Sequence, residues 1–217
     1  MRKRDRLLVS AGIICTLLSM YQLIVLELAS FYTLFSIGMT LTLSCAYHSL
    51  AGRRLFTGWG IGPVAVFWVF MILVSIAIDL TGITAGYWEY PHYGKADQVR
   101  KYVFEWGVAL FYHFVALAIG VEVFKKAGVG LIPSLVLSLI VFVTGIGFIT
   151  ESLNLRVYSW RVTSMPLSNY RFGGYFLVFQ TIGYWLMAII PYAVYQSMEL
   201  TLGRRFVNQF SEDSENE

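Results

Sequence analysis

Residues 79–91, DLTGITAGYWEYP, close a long apolar run with an aspartate, place a tryptophan nine residues later and a proline three beyond that. The stretch recurs in altered form. Glu151 is followed at nine residues by Trp160 and then by Pro166; fourteen residues past each proline stands Glu105 or Gln180, preceded by Phe104 or Phe179. The register slips by three residues once, between the tryptophan and the proline. A recurrence over this distance marks two divergent copies of one two-helix unit.

The apolar runs around these landmarks set the fold class. The 217 residues are 57% hydrophobic and 13% charged, about half the charge of a soluble domain. A hydrocarbon core of about 30 Å demands about 20 apolar residues per helix, because every backbone amide there must be satisfied internally. Six spans are expected at roughly 7–27, 30–50, 61–80, 102–124, 129–150 and 174–197. The expectation is an all-α, polytopic membrane helix bundle, with spans three and four repeated as five and six in parallel topology. Residues 1–60 form an accessory hairpin, 61–126 the first repeat unit, 127–200 the second, and 201–217 a disordered cytoplasmic tail with the acidic ending SEDSENE.

MRKRDR before an apolar run has the first parts of a signal peptide, yet lacks a small-residue cleavage site, so a retained first helix is expected. With the N-terminus cytoplasmic, ten of the sixteen basic residues fall on the inner side, among them Arg53, Arg54, Lys125, Lys126, Arg204 and Arg205. The expected location is therefore the cell membrane, multi-pass, with both termini cytoplasmic. These flanking residues account for the net charge of +3, and without an aromatic-interleaved basic patch no nucleic-acid partner is expected. Membrane lipids and a hydrophobic small molecule are the expected partners; an oligomer or a partner membrane protein is compatible with the aromatic outer loops.

Three carboxylates carry the chemical expectation. Asp79, Glu105 and Glu151 fall near the outer boundary on different spans, and an ionisable group at membrane depth is by default a functional hypothesis. Desolvation favours the neutral form of a carboxyl, and a neutral acid can donate a proton. His113 lies two turns beyond Glu105 on nearly the same face, and Asn154 is placed to orient Glu151. The bland alternative is specific. Asp79 and Glu151 can reach water from span ends, Trp88 and Trp160 can belong to the interfacial aromatic belt, His113 can be a helix-packing hydrogen bonder, and Gly82 can mark a close backbone approach. His48, His92 and His113 form no ligand cluster, so no metal is expected; phosphate-loop, dinucleotide and nucleophile-elbow motifs are missing from the sequence. The expected chemistry is acid–base work without a cofactor.

Asp79, Trp88 and Tyr90 at the end of one span, followed by Glu105 among aromatics at the start of the next, resemble the repeated unit of the lycopene cyclase domain and related carotenoid-biosynthesis membrane proteins. The resemblance covers about residues 65–190. That family has a paired acidic motif where this chain has a single Glu105 followed by Trp106, and Gln180 in the second copy. The resemblance implies a membrane enzyme that acts on a long isoprenoid without consuming a redox equivalent: a cyclase, hydratase or isomerase. Asp79, Glu105 and Glu151 would be its catalytic acids and bases. Trp88, Tyr90, Trp106, Phe111, Tyr112, His113, Asn154, Trp160 and Gln180 would line the substrate, with aromatic faces sheltering a carbocation. The competing expectation is a small membrane transporter, or a ligand-binding or accessory subunit without catalytic activity.

Overall fold

The computed structural model describes residues 3–92, 107–164, 171–172, 175–176 and 179–214, and the side chains of 4–92, 107–164 and 181–202. Its described residues form six helices: α1 (Lys3–Ile24), α2 (Phe31–Ala51), α3 (Ile61–Thr84), α4 (Gly107–Lys126), α5 (Leu131–Val157) and α6, which follows a π-helical turn at Phe179–Gly183 and runs over Tyr184–Ser214. The first five are long and apolar enough to cross a membrane. Four two-residue strands complete the set: β1 (Trp88–Glu89) pairs with β2 (Arg161–Val162), and β3 (Arg171–Phe172) with β4 (Tyr175–Phe176).

The helix ends follow local chemistry. Gly52 stops α2 in a left-handed conformation (φ 73°), its N–H bonded to the His48 carbonyl, a position at which glycine carries no Cβ penalty. α3 and α5 open alike, with an extended glycine cap (Gly60, Gly130) and a proline three residues on (Pro63, Pro133). Proline is tolerated there because the first-turn N–H has no helical partner to lose. Sixteen residues separate Pro63 from Asp79 and eighteen separate Pro133 from Glu151. The π-helical turn at Leu139–Val143 lies within the longer interval, where such turns absorb inserted residues.

Helix α4 is the centre of the bundle. It packs against α2, α3, α5 and α6, and its residues from Ala109 to Val121 are buried on every side. Its crossing with α5 is close at Gly120, where an added Cβ would stand 2.7 Å from Ser138. Helix α1 packs along α2, through Gly12 and Gly38 facing Thr42 and Thr16. Its outer face exposes Leu7, Ile14 and Leu17, as expected of a surface that meets lipid rather than water.

Two helices outrun their expected ends. α3 continues to Thr84 instead of residue 80, and α5 to Val157 instead of 150, so Asp79 and Glu151 lie inside helices and not at their lips. α6 continues to Ser214, into the stretch expected as a tail.

Candidate functional site

The two carboxylates that the sequence pairs with tryptophans are bonded to them. At the end of α3, Asp79 is 1% exposed; its Oδ1 accepts from Trp88 Nε1 at 2.9 Å and from the Tyr90 hydroxyl at 2.6 Å. The chain returns onto its own helix through Gly86 (φ 69°), a left-handed turn open to glycine, with the Tyr87 N–H donating to the Gly82 carbonyl. Gly82 is required by packing: a Cβ there would sit 1.9 Å from the Trp88 ring. The indole packs against bare helix backbone.

In α5 the same pairing recurs with different parts. Glu151, 6% exposed, accepts at Oε1 from Trp160 Nε1 at 3.1 Å and from the Tyr184 hydroxyl at 2.7 Å. Asn154, three residues after Glu151, takes the place that Gly82 takes after Asp79. Its amide donates to the Trp160 carbonyl at 2.9 Å, its Oδ1 accepts from the Trp160 N–H at 3.2 Å, and its Nδ2 lies 3.5 Å from Glu151 Oε2. Asn154 therefore orients the tryptophan more directly than the carboxylate. Tyr158, left-handed at φ 49°, turns the chain out of α5.

The two loops meet. β1 and β2 run antiparallel with Trp88 opposite Val162 and Glu89 opposite Arg161, so the pairing centres on the residues that follow the two tryptophans. The Glu89 carboxylate lies 3.6 Å from Arg161 with both side chains exposed. Thr163 adds a backbone bond to Tyr87 at 2.8 Å.

Around Glu151 the bundle collects further polar groups. Tyr112 in α4 shares hydroxyl hydrogen bonds with Tyr32 in α2 at 2.8 Å and with Thr150 at 3.2 Å. Tyr32 packs edge-on to Trp160. His113 is fully buried, its ring stacked on Tyr184 at 4.8 Å and its Nδ1 at 2.8 Å from the Ala109 carbonyl. Its Nε2 has no hydrogen-bond partner among the described residues. Helices α2, α4, α5 and α6 thus bring a carboxyl, three phenols, a threonine hydroxyl and an imidazole into one buried cluster.

Of the residues singled out in sequence, Tyr112, His113, Asn154, Trp160 and Glu151 come together here, while Asp79, Trp88 and Tyr90 form their own cluster. Phe111 goes elsewhere: its ring stacks on Trp68 at 4.8 Å and on Phe56 at 6.1 Å. Glu105 and Trp106 lie outside the described residues. Gln180 falls in the π turn before α6, and its side chain lies outside the described set.

Sequence reasoning missed Tyr184 and Tyr32, whose hydroxyls reach the cluster from distant helices. It also missed a polar network at the opposite, basic end. There Arg54 donates to the buried Asp5 at 2.8 Å, with His48 at 3.7 Å from the same carboxylate. Arg53 donates to Glu199 at 2.7 Å, and Trp59 Nε1 to the other oxygen at 2.5 Å. The hydrogen bond to Glu199 raises the Arg53 pKa above its ordinary value. Phe56, held at φ 60°, drives its ring from the same loop among Trp59, Phe67, Phe111 and Tyr195. The signal in sequence was only a pair of arginines between two spans.

The chain matches no protein-family model, no curated protein and no solved structure, so the geometry of these clusters carries the functional reading alone.

Proposed function

We propose that this chain is a membrane-embedded enzyme that acts by acid–base chemistry on a long isoprenoid or other lipid, with Glu151 as the proton donor. The observation that carries the reading is the composition of the Glu151 cluster. A carboxyl buried in the bundle is bonded by an indole, a phenol and an amide neighbour, all neutral; no cation pairs with it among the described residues. A buried carboxyl with such neighbours is the kind of group that exchanges a proton with a substrate held against it.

Proton transfer from Glu151 to a terminal double bond would form a C–H bond, break the π bond and leave a carbocation. The faces of Tyr32, Trp160 and Tyr184 would stabilise that charge. Loss of a proton to a second carboxylate, Glu105 in this proposal, would restore a double bond with no net redox change. His113 is a further proton acceptor within the same cluster.

The wider architecture in this proposal is six spans with both termini cytoplasmic, and α3–α4 repeated as α5–α6 about an axis along the membrane normal. Support comes from the matched Gly–Pro helix starts, the matched carboxylate–indole bonds and the strand pairing centred on Glu89 and Arg161. One observation favours a non-catalytic accessory role instead: Trp88 and Tyr90 both donate to Asp79, which fastens the loop after α3 to its own helix. The ring block of Phe56, Phe67, Phe111, Phe114 and Tyr195 fills the bundle between its two polar ends, which disfavours a transport path.

Expression in a carotenoid-accumulating host, with pigment and lipid analysis, tests the reading. The wild-type chain should change the isoprenoid or lipid profile, and Glu151→Gln, which keeps the shape, should abolish the change. Asp79→Asn should lower the amount of folded protein more than the turnover per folded molecule. An unchanged profile with the wild-type chain would remove the enzyme reading.

A further inference from the structure

Helix α2 is the least apolar of the five spanning helices, and its polar residues fall at regular intervals. Tyr32, Ser36, Thr40, Ser44 and His48 occupy every fourth position, so each stands about one turn beyond the last. Such a row winds round its helix by about 40° a step, and this one changes neighbours on the way. At its start Tyr32 bonds Tyr112 of α4, which in turn meets Thr150 next to Glu151. At its end His48 lies 3.7 Å from the Asp5 carboxylate of α1. There Asp5, Ser44, Cys45, His48 and Arg54 line a cavity of about 210 Å³ at the basic end of the bundle.

Three atoms of the row are buried without a hydrogen-bond partner among the described residues: Ser36 Oγ, Thr40 Oγ1 and His48 Nδ1. Elsewhere the helical hydroxyls turn back on their own backbone. Thr16, Ser75, Ser152 and Thr201 each donate to the carbonyl one turn earlier, at 2.7–3.0 Å. Ser36 and Thr40 make no such bond; Ser36 stands close to the Tyr32 phenol, though not in hydrogen-bond geometry. A buried hydroxyl left unpaired is costly, and bound water is what meets such groups inside proteins. The spacing suits it. Four residues rise about 6 Å, which one water spans with two hydrogen bonds of about 2.8 Å each.

We infer that α2 carries a file of bound water, joining the cavity at the basic end to the hydroxyls of Tyr32, Tyr112 and Thr150, and that protons reach the Glu151 cluster along it. Each water or hydroxyl takes a proton on one side and gives one up on the other, so no open channel is needed. The ring block that disfavours a transport path is therefore no obstacle to it. The proton supply rests on the proposed acid–base role of Glu151; the water file does not.

Thermal unfolding of the full chain in detergent tests the file. Thr40→Val keeps the side-chain shape and removes the hydroxyl, and Ser36→Ala does the same one turn earlier. In a dry row both should raise the Tm, because a buried unpaired group is lost. In a hydrated row each should lower it by about 2–4 °C, the effect of one hydrogen bond in a chain of this size. Since the two hydroxyls share a water, the double substitution should lower the Tm by less than the sum of the singles. Ser75→Ala, whose hydroxyl returns to the Met71 carbonyl, should add to either in full. A raised Tm in the single variants, or strict additivity between Ser36→Ala and Thr40→Val, would overturn the file. In the carotenoid-accumulating host, Thr40→Val should also lower the output per folded molecule. Undiminished output would overturn the proton supply and leave the file standing, whereas an inactive wild-type chain would remove the enzyme reading and the proton supply together.

Discussion

The Asp79 and Glu151 clusters solve one problem, fastening a loop to the helix before it, with two different sets of parts. In the first, a short carboxylate meets an indole that lies on the bare backbone of Gly82. In the second, Asn154 occupies the equivalent position, and the acid is longer by one methylene. The asparagine takes the backbone of Trp160 and the glutamate reaches its ring. A side chain three residues after the acid and the length of the acid therefore change together, which a clasp under steric constraint requires. The second difference is reach. Trp88 and Tyr90 reach Asp79 from within eleven residues, whereas Tyr184 arrives at Glu151 from thirty-three residues away. The second cluster therefore ties α5 to α6 as well as to its own loop.

The largest expected effect falls on the bare backbone of the first cluster. Gly82→Ala places a methyl group inside the Trp88 ring, so the indole must leave. Overpacking of this kind costs about 1–3 kcal/mol, and the abandoned bond to a buried carboxylate costs about as much again. Thermal unfolding in detergent should show a marked loss of stability together with a shifted tryptophan emission. Gly145→Ala is the control: nothing lies within 4 Å of that Cβ, and helix propensity makes the change neutral or stabilising by about 0.5–1 kcal/mol. Comparable losses from the two substitutions would refute the packing argument.

Converting one cluster into the other comes next. Glu151→Asp shortens the acid and pulls it from Trp160 and Tyr184, a loss of about 1–3 kcal/mol for a buried donor left unmet. Asn154→Gly alone removes the ties to the Trp160 backbone. Together they recreate the first cluster's parts, so the double substitution should be less damaging than the sum of the singles, with a coupling of about 0.5–3 kcal/mol. Strict additivity would mean that the two positions do not exchange roles.

Tyr90→Phe and Tyr184→Phe each delete one phenol donor to a carboxylate, and each should cost about 0.5–1.5 kcal/mol. Their equal stability cost sharpens the functional contrast. Tyr184→Phe should also alter the lipid or pigment output per folded molecule, since it changes a partner of Glu151 and the ring against His113; Tyr90→Phe should not.

How much of this could be read beforehand depends on distance along the chain. The nine-residue spacing from carboxylate to tryptophan was visible, and both pairs are hydrogen bonded. The matched Gly60–Pro63 and Gly130–Pro133 helix starts are equally local signals, lying before the apolar runs and far from the acids. Tyr184, Tyr32 and the Asp5–Arg54 and Glu199–Arg53 pairs were not legible in the same way. Their partners are brought together by helix packing, and no local pattern announces which hydroxyl or arginine will face which acid. The depth of Asp79 and Glu151 was misjudged for a related reason: hydropathy falls where the first polar residue occurs, although helical hydrogen bonding continues for up to two turns beyond it.

The smallest effect is expected where the two loops touch. Glu89 and Arg161 face each other across β1 and β2 at 3.6 Å, each side chain more than half exposed, and Arg161 also sits 5.5 Å above the Tyr158 ring. Exposed pairs of this kind contribute about 0–1 kcal/mol, since water screens the attraction and two long side chains must be ordered. The pairing itself rests on backbone bonds and on Trp88 and Trp160, both buried. Glu89→Gln should therefore leave thermal stability within about 0.5 kcal/mol of wild type and insensitive to added salt. A larger, salt-dependent loss would place the fastening of the two loops in their shared ion pair and not in the indole–carboxylate bonds, and the contrast between the two clusters would lose its structural basis.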